Sequence, residues 1–389
     1  LLAVLPGTGG LTRVTDKRKL RRDRADVFCS TEEGIKGKRA QEWGLVDEVI
    51  ANSTFEETVT SRALEFVSSS KKVDVKQGIK LDPLTKLIAD NGSLSYSTVQ
   101  VSLNRTARTA TITLTGPDEA APLDIAKFEA QGDQAYLLRM ARELDDAILH
   151  LRLNETEVGL WIFRTEGDPQ ILAAHENLLM QNIDNWLANE VRQYLKRILK
   201  RIDVTSRSMV ALIEHGSCFN GFFAELLFAV DRSYMMEDEF ENDPRPIATI
   251  TLTDDNFGTY RMANGLSRIE TRFWGTPNFV EAAKKKIGEP LEAAVADDLG
   301  LVTVILDDID WEDEIRMFIE ERASFSPDAM TGMEANLRFV GPETMETRIF
   351  GRLTAWQNWI FIRPNAVGPD GALQRYGSGK RGNYNMDRV

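Results

Sequence analysis

The chain has 389 residues, 42% of them hydrophobic, with a formal charge of −13 and a pI near 5.0. That length exceeds one average domain of roughly 100 to 200 residues; the acidic balance disfavours a nucleic-acid partner, and no apolar run approaches the roughly 20 residues of a membrane-spanning helix. Cys29 and Cys218, far apart and in no CxxC arrangement, support neither a disulfide framework nor a cysteine zinc site, so a reducing cytoplasm is expected.

Residues 1–14 read as a strand, a glycine-rich turn (Pro6-Gly7-Thr8-Gly9-Gly10) and a helix start. The apolar run Leu1 to Leu5 has no initiator methionine and no charged region before it, so it is no signal peptide, and the start is expected to be a cut. The turn offers free backbone N–H groups at a helix N-terminus, a place for a carbonyl oxygen or an anion; a plain tight turn is the alternative. Thr12 stands where a dinucleotide fingerprint needs its third glycine. A basic cluster follows, with Arg13, Lys17, Arg18, Lys19, Arg21, Arg22 and Arg24.

Around Ala40, an alanine-containing helix ends at Gly44, which can adopt the left-handed cap conformation, and Leu45-Val46 enters a strand. Residues 68–96 are polar and carry Gly78, Pro83 and Gly92, as a linker does. Alternation at Val99, Val101, Leu103, Ile112 and Leu114 predicts a β-hairpin with one buried face. Leu137, Met140, Ala141, Leu144, Ile148 and Leu151 form one helical stripe. The continuous apolar runs 158–163 and 209–213 predict strands buried on both faces, and hence an α/β architecture. From residue 311 to Pro364 the pattern is mostly helical, followed by a glycine-rich basic tail. Trp356 and Trp359, with Phe350 and Phe361, fall at near-helical spacing and read as core or dimer interface.

Sliding the sequence against itself reveals a repeat. Gly10-Leu11-Thr12-Arg13-Val14 matches Gly265-Leu266-Ser267-Arg268-Ile269 at an offset of 255, and Ala40 with Gly44-Leu45-Val46 matches Ala296 with Gly300-Leu301-Val302 at an offset of 256. The expected organisation is therefore the last third of a first module (1–67), a linker (68–96), a second module (97–310) and a helical C-terminal region with its tail (311–389).

The run Leu5-Pro6-Gly7-Thr8-Gly9-Gly10-Leu11-Thr12-Arg13, followed by Gly37, Ala40, Gly44-Leu45-Val46-Asp47 and Val49, resembles the enoyl-CoA hydratase (crotonase) superfamily. The chain is also similar throughout to the benzoyl-CoA-dihydrodiol lyase family within it. The segments that carry this likeness are Thr15 to Lys19, Asp23 to Asp26, Ala141 to Ile148, Phe163 to Asp168 and Gly341 to Ile360. The resemblance implies an α/β fold with two crotonase-like modules, the first incomplete. It further implies cofactor-free ring opening of 2,3-epoxybenzoyl-CoA, whose hydrated form is the dihydrodiol, to 3,4-didehydroadipyl-CoA semialdehyde and formate in aerobic benzoate breakdown. An enoyl-CoA hydratase or isomerase, and a non-catalytic dimerisation scaffold, are the alternatives.

In the resembled family the loop Pro6, Gly7, Thr8, Gly9 and Gly10 lines the acyl pocket, and the catalytic glutamates are expected upstream of Leu1, which leaves this stretch inactive alone. In the second module Asn220-Gly221 through Glu225 falls where the first glutamate belongs, and Asp254 falls near the second. Phe222 and Phe223 replace glycines there, which favours a degenerate copy over a second active site. Lys17, Arg18 and Arg21 are candidates for the phosphates of CoA, with a solvated face or a subunit contact as the alternative. His150, His175 and His215 show no metal-ligand spacing, and Cys218 reads as buried packing. The expected partners are an aromatic acyl-CoA and a second copy of the chain; no cofactor, metal, nucleic acid or membrane is expected.

Overall fold

The computed structural model describes residues 5, 7–70, 78–237 and 244–388. The chain divides into two compact units, Leu1–Asp74 and Val75–Val389.

The first unit is helical among its described residues: α1 (Arg22–Ser30), α2 (Gly37–Glu42) and α3 (Phe55–Ser69), after a short turn of helix at the glycine loop. No described side chain of α3 is buried within the unit. The turn after α2 has the predicted geometry: Gly44 is left-handed (φ +73°), and the N–H of Leu45 returns to the carbonyl of Ala40 at 2.9 Å.

The second unit is built on strands β1 (Leu87–Ile88), β2 (Leu94–Ser95), β3 (Val99–Asn104), β4 (Thr109–Thr115), β5 (Leu160–Glu166), β6 (Ser208–Ile213), β7 (Phe219–Asn220), β8 (Arg232–Met236), β9 (Ile250–Thr251), β10 (Pro290–Leu291) and β11 (Val304–Leu306). Eight of them form one sheet in the order β1-β2-β3-β4-β5-β6-β8-β11, and β10-β9-β7 form a smaller one. The large sheet is antiparallel through β4 and parallel from β4 to β11. In β3, Val99, Val101 and Leu103 are buried and their neighbours exposed, which is the predicted alternation. The stretch read as a linker also contributes β1 and β2. These two-residue strands carry no sequence period, but Leu94 is buried and continues the sheet beyond β3.

Helices α4 (Tyr136–Asn154), α5 (Pro169–Gln181), α6 (Trp186–Asp203) and α7 (Phe222–Ala229) make the crossovers. Side chains alternate across a strand, so Trp161 and Phe163 of β5 join the core beneath α4 and α6, while Leu160 and Ile162 join a second core on the other face. Burial on both faces explains why β5 and β6 lack polar alternation.

Further along lie α8 (Arg268–Arg272), α9 (Ala293–Asp298), α10 (Asp308–Ser324), α11 (Pro327–Leu337) and α12 (Thr354–Ile360). The tail returns inward. Arg388 donates to Glu334 at 3.3 Å, Thr331 at 3.2 Å, Ser208 Oγ at 3.0 Å and the Gly159 carbonyl at 3.2 Å, at the base of β5 and β6. Trp356 and Trp359 stand edge to face at 5.6 Å and are half-buried, so they are not core, while Phe350 and Phe361 are exposed.

Candidate functional site

The glycine loop and the buried carboxylates lie in different units. In the loop, Pro6 falls outside the described residues. Gly7 donates to the carbonyl of Leu5 at 2.8 Å, Gly9 is left-handed (φ +101°), and Gly10 opens the first helical turn. Arg13–Lys17 then form a π turn. A cavity of about 980 Å³ beside it is lined by Leu5, Leu11, Thr15, Ala25, Val27 and Cys29 among others, a mainly apolar recess at the end of the loop.

The three phosphate candidates are placed differently. Arg18 is committed, with Nε on the carbonyl of Gly44 at 2.9 Å and Nη1 on Asp47 at 3.1 Å. Arg21 grips Asp23 through two bonds of 2.6 and 2.7 Å and holds that carboxyl down to about 2. Lys17 is exposed and makes no ion pair among the described residues.

In the second unit β7 leads through Gly221 into α7, every residue of which is buried. Gly221 is left-handed (φ +51°), and this kink turns the N–H of Phe222 towards α5. There it meets Glu176, whose Oε1 accepts at 2.8 Å. A side chain at 221 is excluded, since its Cβ would fall 1.6 Å from Glu176 Oε2. The second Glu176 oxygen has no partner among the described residues. Burial, set against the Phe222 N–H and reinforced by the charges of Asp255 and Glu225, pushes the carboxyl up to about 8.

Glu225 sits one turn into α7. Its oxygens accept from Asn256 Nδ2 at 3.0 Å and Arg268 Nη1 at 3.0 Å, while Asn256 also holds the carbonyl of Gly221 at 2.9 Å. Arg268 is itself clamped by Asp203 through bonds of 3.1 and 2.7 Å. Burial raises Glu225 to about 7, with Arg268 and Asn256 opposing the shift. Cys218, buried nearby, is pushed up to about 12 by the same loss of water, so it is no thiolate.

Asp254 does not join this group. It is exposed at the start of a 3-10 turn, and the buried carboxylate of that turn is Asp255. Glu176 and Asp203 are the residues that sequence reasoning missed, and a signal for both existed. Each occupies a position of its helix's apolar stripe, with Leu172, His175 and Leu179 around Glu176 and with Leu195, Ile198, Leu199 and Ile202 before Asp203. A carboxylate on such a stripe must be paired or neutral.

The arrangement can hold helix α7 and the 253–272 region together. The Phe222 N–H at the helix start, where a carbonyl oxygen could be polarised, is already taken by Glu176.

No protein-family model matches the chain. Benzoyl-CoA-dihydrodiol lyase of Aromatoleum evansii is 50% identical over 390 aligned positions, which cover all of this chain and 69% of that protein. The chain belongs to the benzoyl-CoA-dihydrodiol lyase family. It is thus a member of a lyase family, with the fold of the enoyl-CoA hydratases. The fold agrees: enoyl-CoA hydratase of Geobacillus kaustophilus superposes with a TM-score of 0.55 at 15% identity, over 76% of this chain and 98% of that one. The enzyme of Bacillus anthracis gives 0.51 at 14% identity, over 75% of this chain and 100% of its own. No helix among the described residues is long and apolar enough to cross a membrane.

Within this member of the lyase family the repeated joint is visible as geometry. Gly300 matches Gly44 in its left-handed conformation (φ +67°), and Leu301 N returns to Ala296 O at 2.8 Å as Leu45 does to Ala40. Arg272 Nε donates to the carbonyl of Gly300 at 2.8 Å, as Arg18 does to Gly44. Arg13 and Arg18 are five residues apart, whereas Arg268 and Arg272 are four. The π turn at Arg13–Lys17 absorbs the extra residue.

Proposed function

We propose that the chain is part of an enzyme that opens the ring of 2,3-epoxybenzoyl-CoA, with water as the only co-reactant and no cofactor, to give 3,4-didehydroadipyl-CoA semialdehyde and formate. The observation that carries this reading is the 50% identity, sustained over the whole chain, to a protein named as a benzoyl-CoA-dihydrodiol lyase. Its setting would be cytoplasmic breakdown of benzoate through CoA thioesters.

The residues divide the labour. The loop Gly7, Thr8, Gly9 and Gly10, with Pro6, borders the acyl group, supported by the apolar recess beside it. Lys17 is the phosphate candidate whose charge is uncommitted. The second module, residues 97–310, is a supporting copy in which Glu225 is structural and Asp254 takes no part. Support comes from the sealed cluster, in which Glu225 is 1% exposed and tied to Arg268 and Asn256. Glu225 and Asp254 are then not the catalytic carboxylates, and the second module acts as scaffold. A homodimer is supported by the Trp356–Trp359 pair, which is only half-buried among the described residues.

The test is mass spectrometry of 2,3-epoxybenzoyl-CoA incubated with the full-length chain, its E225Q variant and the 389 residues alone. Ring-opened semialdehyde thioester and formate are expected from full length and E225Q, and from neither substrate blank nor the 389 residues. Product from the 389 residues, abolished by E225Q, would move the chemistry to Glu225. No product from folded full-length protein would leave another acyl-CoA as substrate.

A further inference from the structure

A cleft in the second unit carries more positive charge than its own carboxylates balance. It holds about 560 Å³ beside the end of α6, β8, α8 and α11. Five arginines line it against three carboxylates, Asp203, Asp231 and Glu334. Three of the arginines are committed. Arg268 is held by Asp203 and Glu225, Arg338 by Asp231 through bonds of 2.9 and 2.7 Å, and Arg322 by Glu334 at 3.3 Å.

Arg232 and Arg272 remain. Arg232 stacks over Phe318 at 5.0 Å and has no carboxylate partner among the described residues. Among the described residues Arg272 is bound only through Nε, to the carbonyl of Gly300. The repeat explains why it is left over. Its counterpart Arg18 makes the same bond to Gly44 and is neutralised by Asp47, but at the corresponding offset of 256 the second copy has Thr303. Thr303 is hydrogen-bonded to Ser233 instead. Arg232 is exposed, but Arg272 is half-buried, and a cation there without a counter-ion among the described residues is a standing electrostatic cost that an anion relieves.

Apart from Thr271 the rest of the lining is apolar and deformable. Met262, Met330 and Met333 face the cleft, and Phe325 and Leu337 form its exposed rim. Flexible thioether walls accept varied apolar bodies.

We propose that this cleft binds a small organic carboxylate, its head between Arg272 and Arg232 and its apolar body against the methionines. The inference is independent of the reaction assigned to the first module. The site lies wholly in the second unit and uses Arg272, which the repeat leaves uncompensated, together with Arg232.

Octanoate is the probe, followed through the methyl resonances of Met262, Met330 and Met333 in protein labelled with 13C-methyl methionine. Saturable shifts are expected with octanoate, at least about tenfold weaker binding of octan-1-ol, and a loss of about tenfold or more for octanoate in R272M and in R232M. The L337E variant adds a like charge to the exposed rim without touching either arginine. It is expected to weaken octanoate as well, so a failure of R272M to fold leaves the test intact. Equal binding of octan-1-ol, binding unchanged in R232M and L337E, or no saturation at millimolar octanoate would each overturn the proposal.

Discussion

Gly221 shows how one backbone position shapes a buried cluster of the second unit. Its left-handed conformation aims the Phe222 N–H at Glu176, and the carboxyl occupies the volume that any Cβ would need. G221A is therefore expected to cost about 3 kcal/mol or more, combining backbone strain with a forced displacement of a buried carboxyl. Urea unfolding checks it. Combining G221A with E176A should recover part of the loss, because the two changes share one contact. A loss within about 0.5 kcal/mol, or strict additivity in the double variant, would contradict the geometry. Of this cluster, Glu225 was legible because its spacing from Asn220-Gly221 matches a motif. Glu176 was not, since its partner is a backbone N–H 46 residues away, and only burial on a helical stripe hinted at it. Asp254 shows the limit of spacing. A one-residue difference in a tight turn decides which of two adjacent aspartates faces inwards.

The helix-to-strand joint is a matched pair of elements in one chain. Both glycines are left-handed, but the nearest atom to a Cβ at Gly44 is 3.9 Å away, while at Gly300 the Phe273 ring lies at 3.0 Å. Changing Gly44 to Ala should cost roughly 1 kcal/mol, the conformational penalty alone, and G300A roughly 2 to 3 kcal/mol, since Phe273 must also move. Equal losses in denaturant titration would mean that the Phe273 contact is easily relaxed. The joint, the β3–β4 hairpin and the α4 stripe were readable because each carries a period or a cap in few residues. β1 and β2 were not, being too short to have a period and fixed by pairing with β3 alone.

For the whole molecule, the sealed cluster makes stability depend on pH. Glu176 and Glu225 have folded-state values of about 8 and about 7, above the ordinary 4.5, so the folded chain holds their protons more tightly than the unfolded one. Their stabilising contribution is complete below the unfolded value and is lost as pH rises through about 7 and then about 8. Urea titrations should show stability falling between about pH 5 and pH 8 by something of the order of 2 to 4 kcal/mol. The E176Q variant keeps an acceptor for Phe222 and should flatten the upper part of that fall. An unchanged profile in E176Q would assign the slope to other groups.

The inward return of the tail also bears on the order of events during folding. Arg388 reaches the carbonyl of Gly159 across 229 residues of sequence, and Ser208 across 180. Such separations are slow to close, and a chain made from its N-terminus exposes β5 and β6 long before residue 388 exists. Until then Glu334 shares the base of these strands with an incomplete set of cations. The sheet can pair early, but the lower edge of its two central strands is locked only as synthesis nears the end of this sequence, which leaves a window for chaperones and proteases to act.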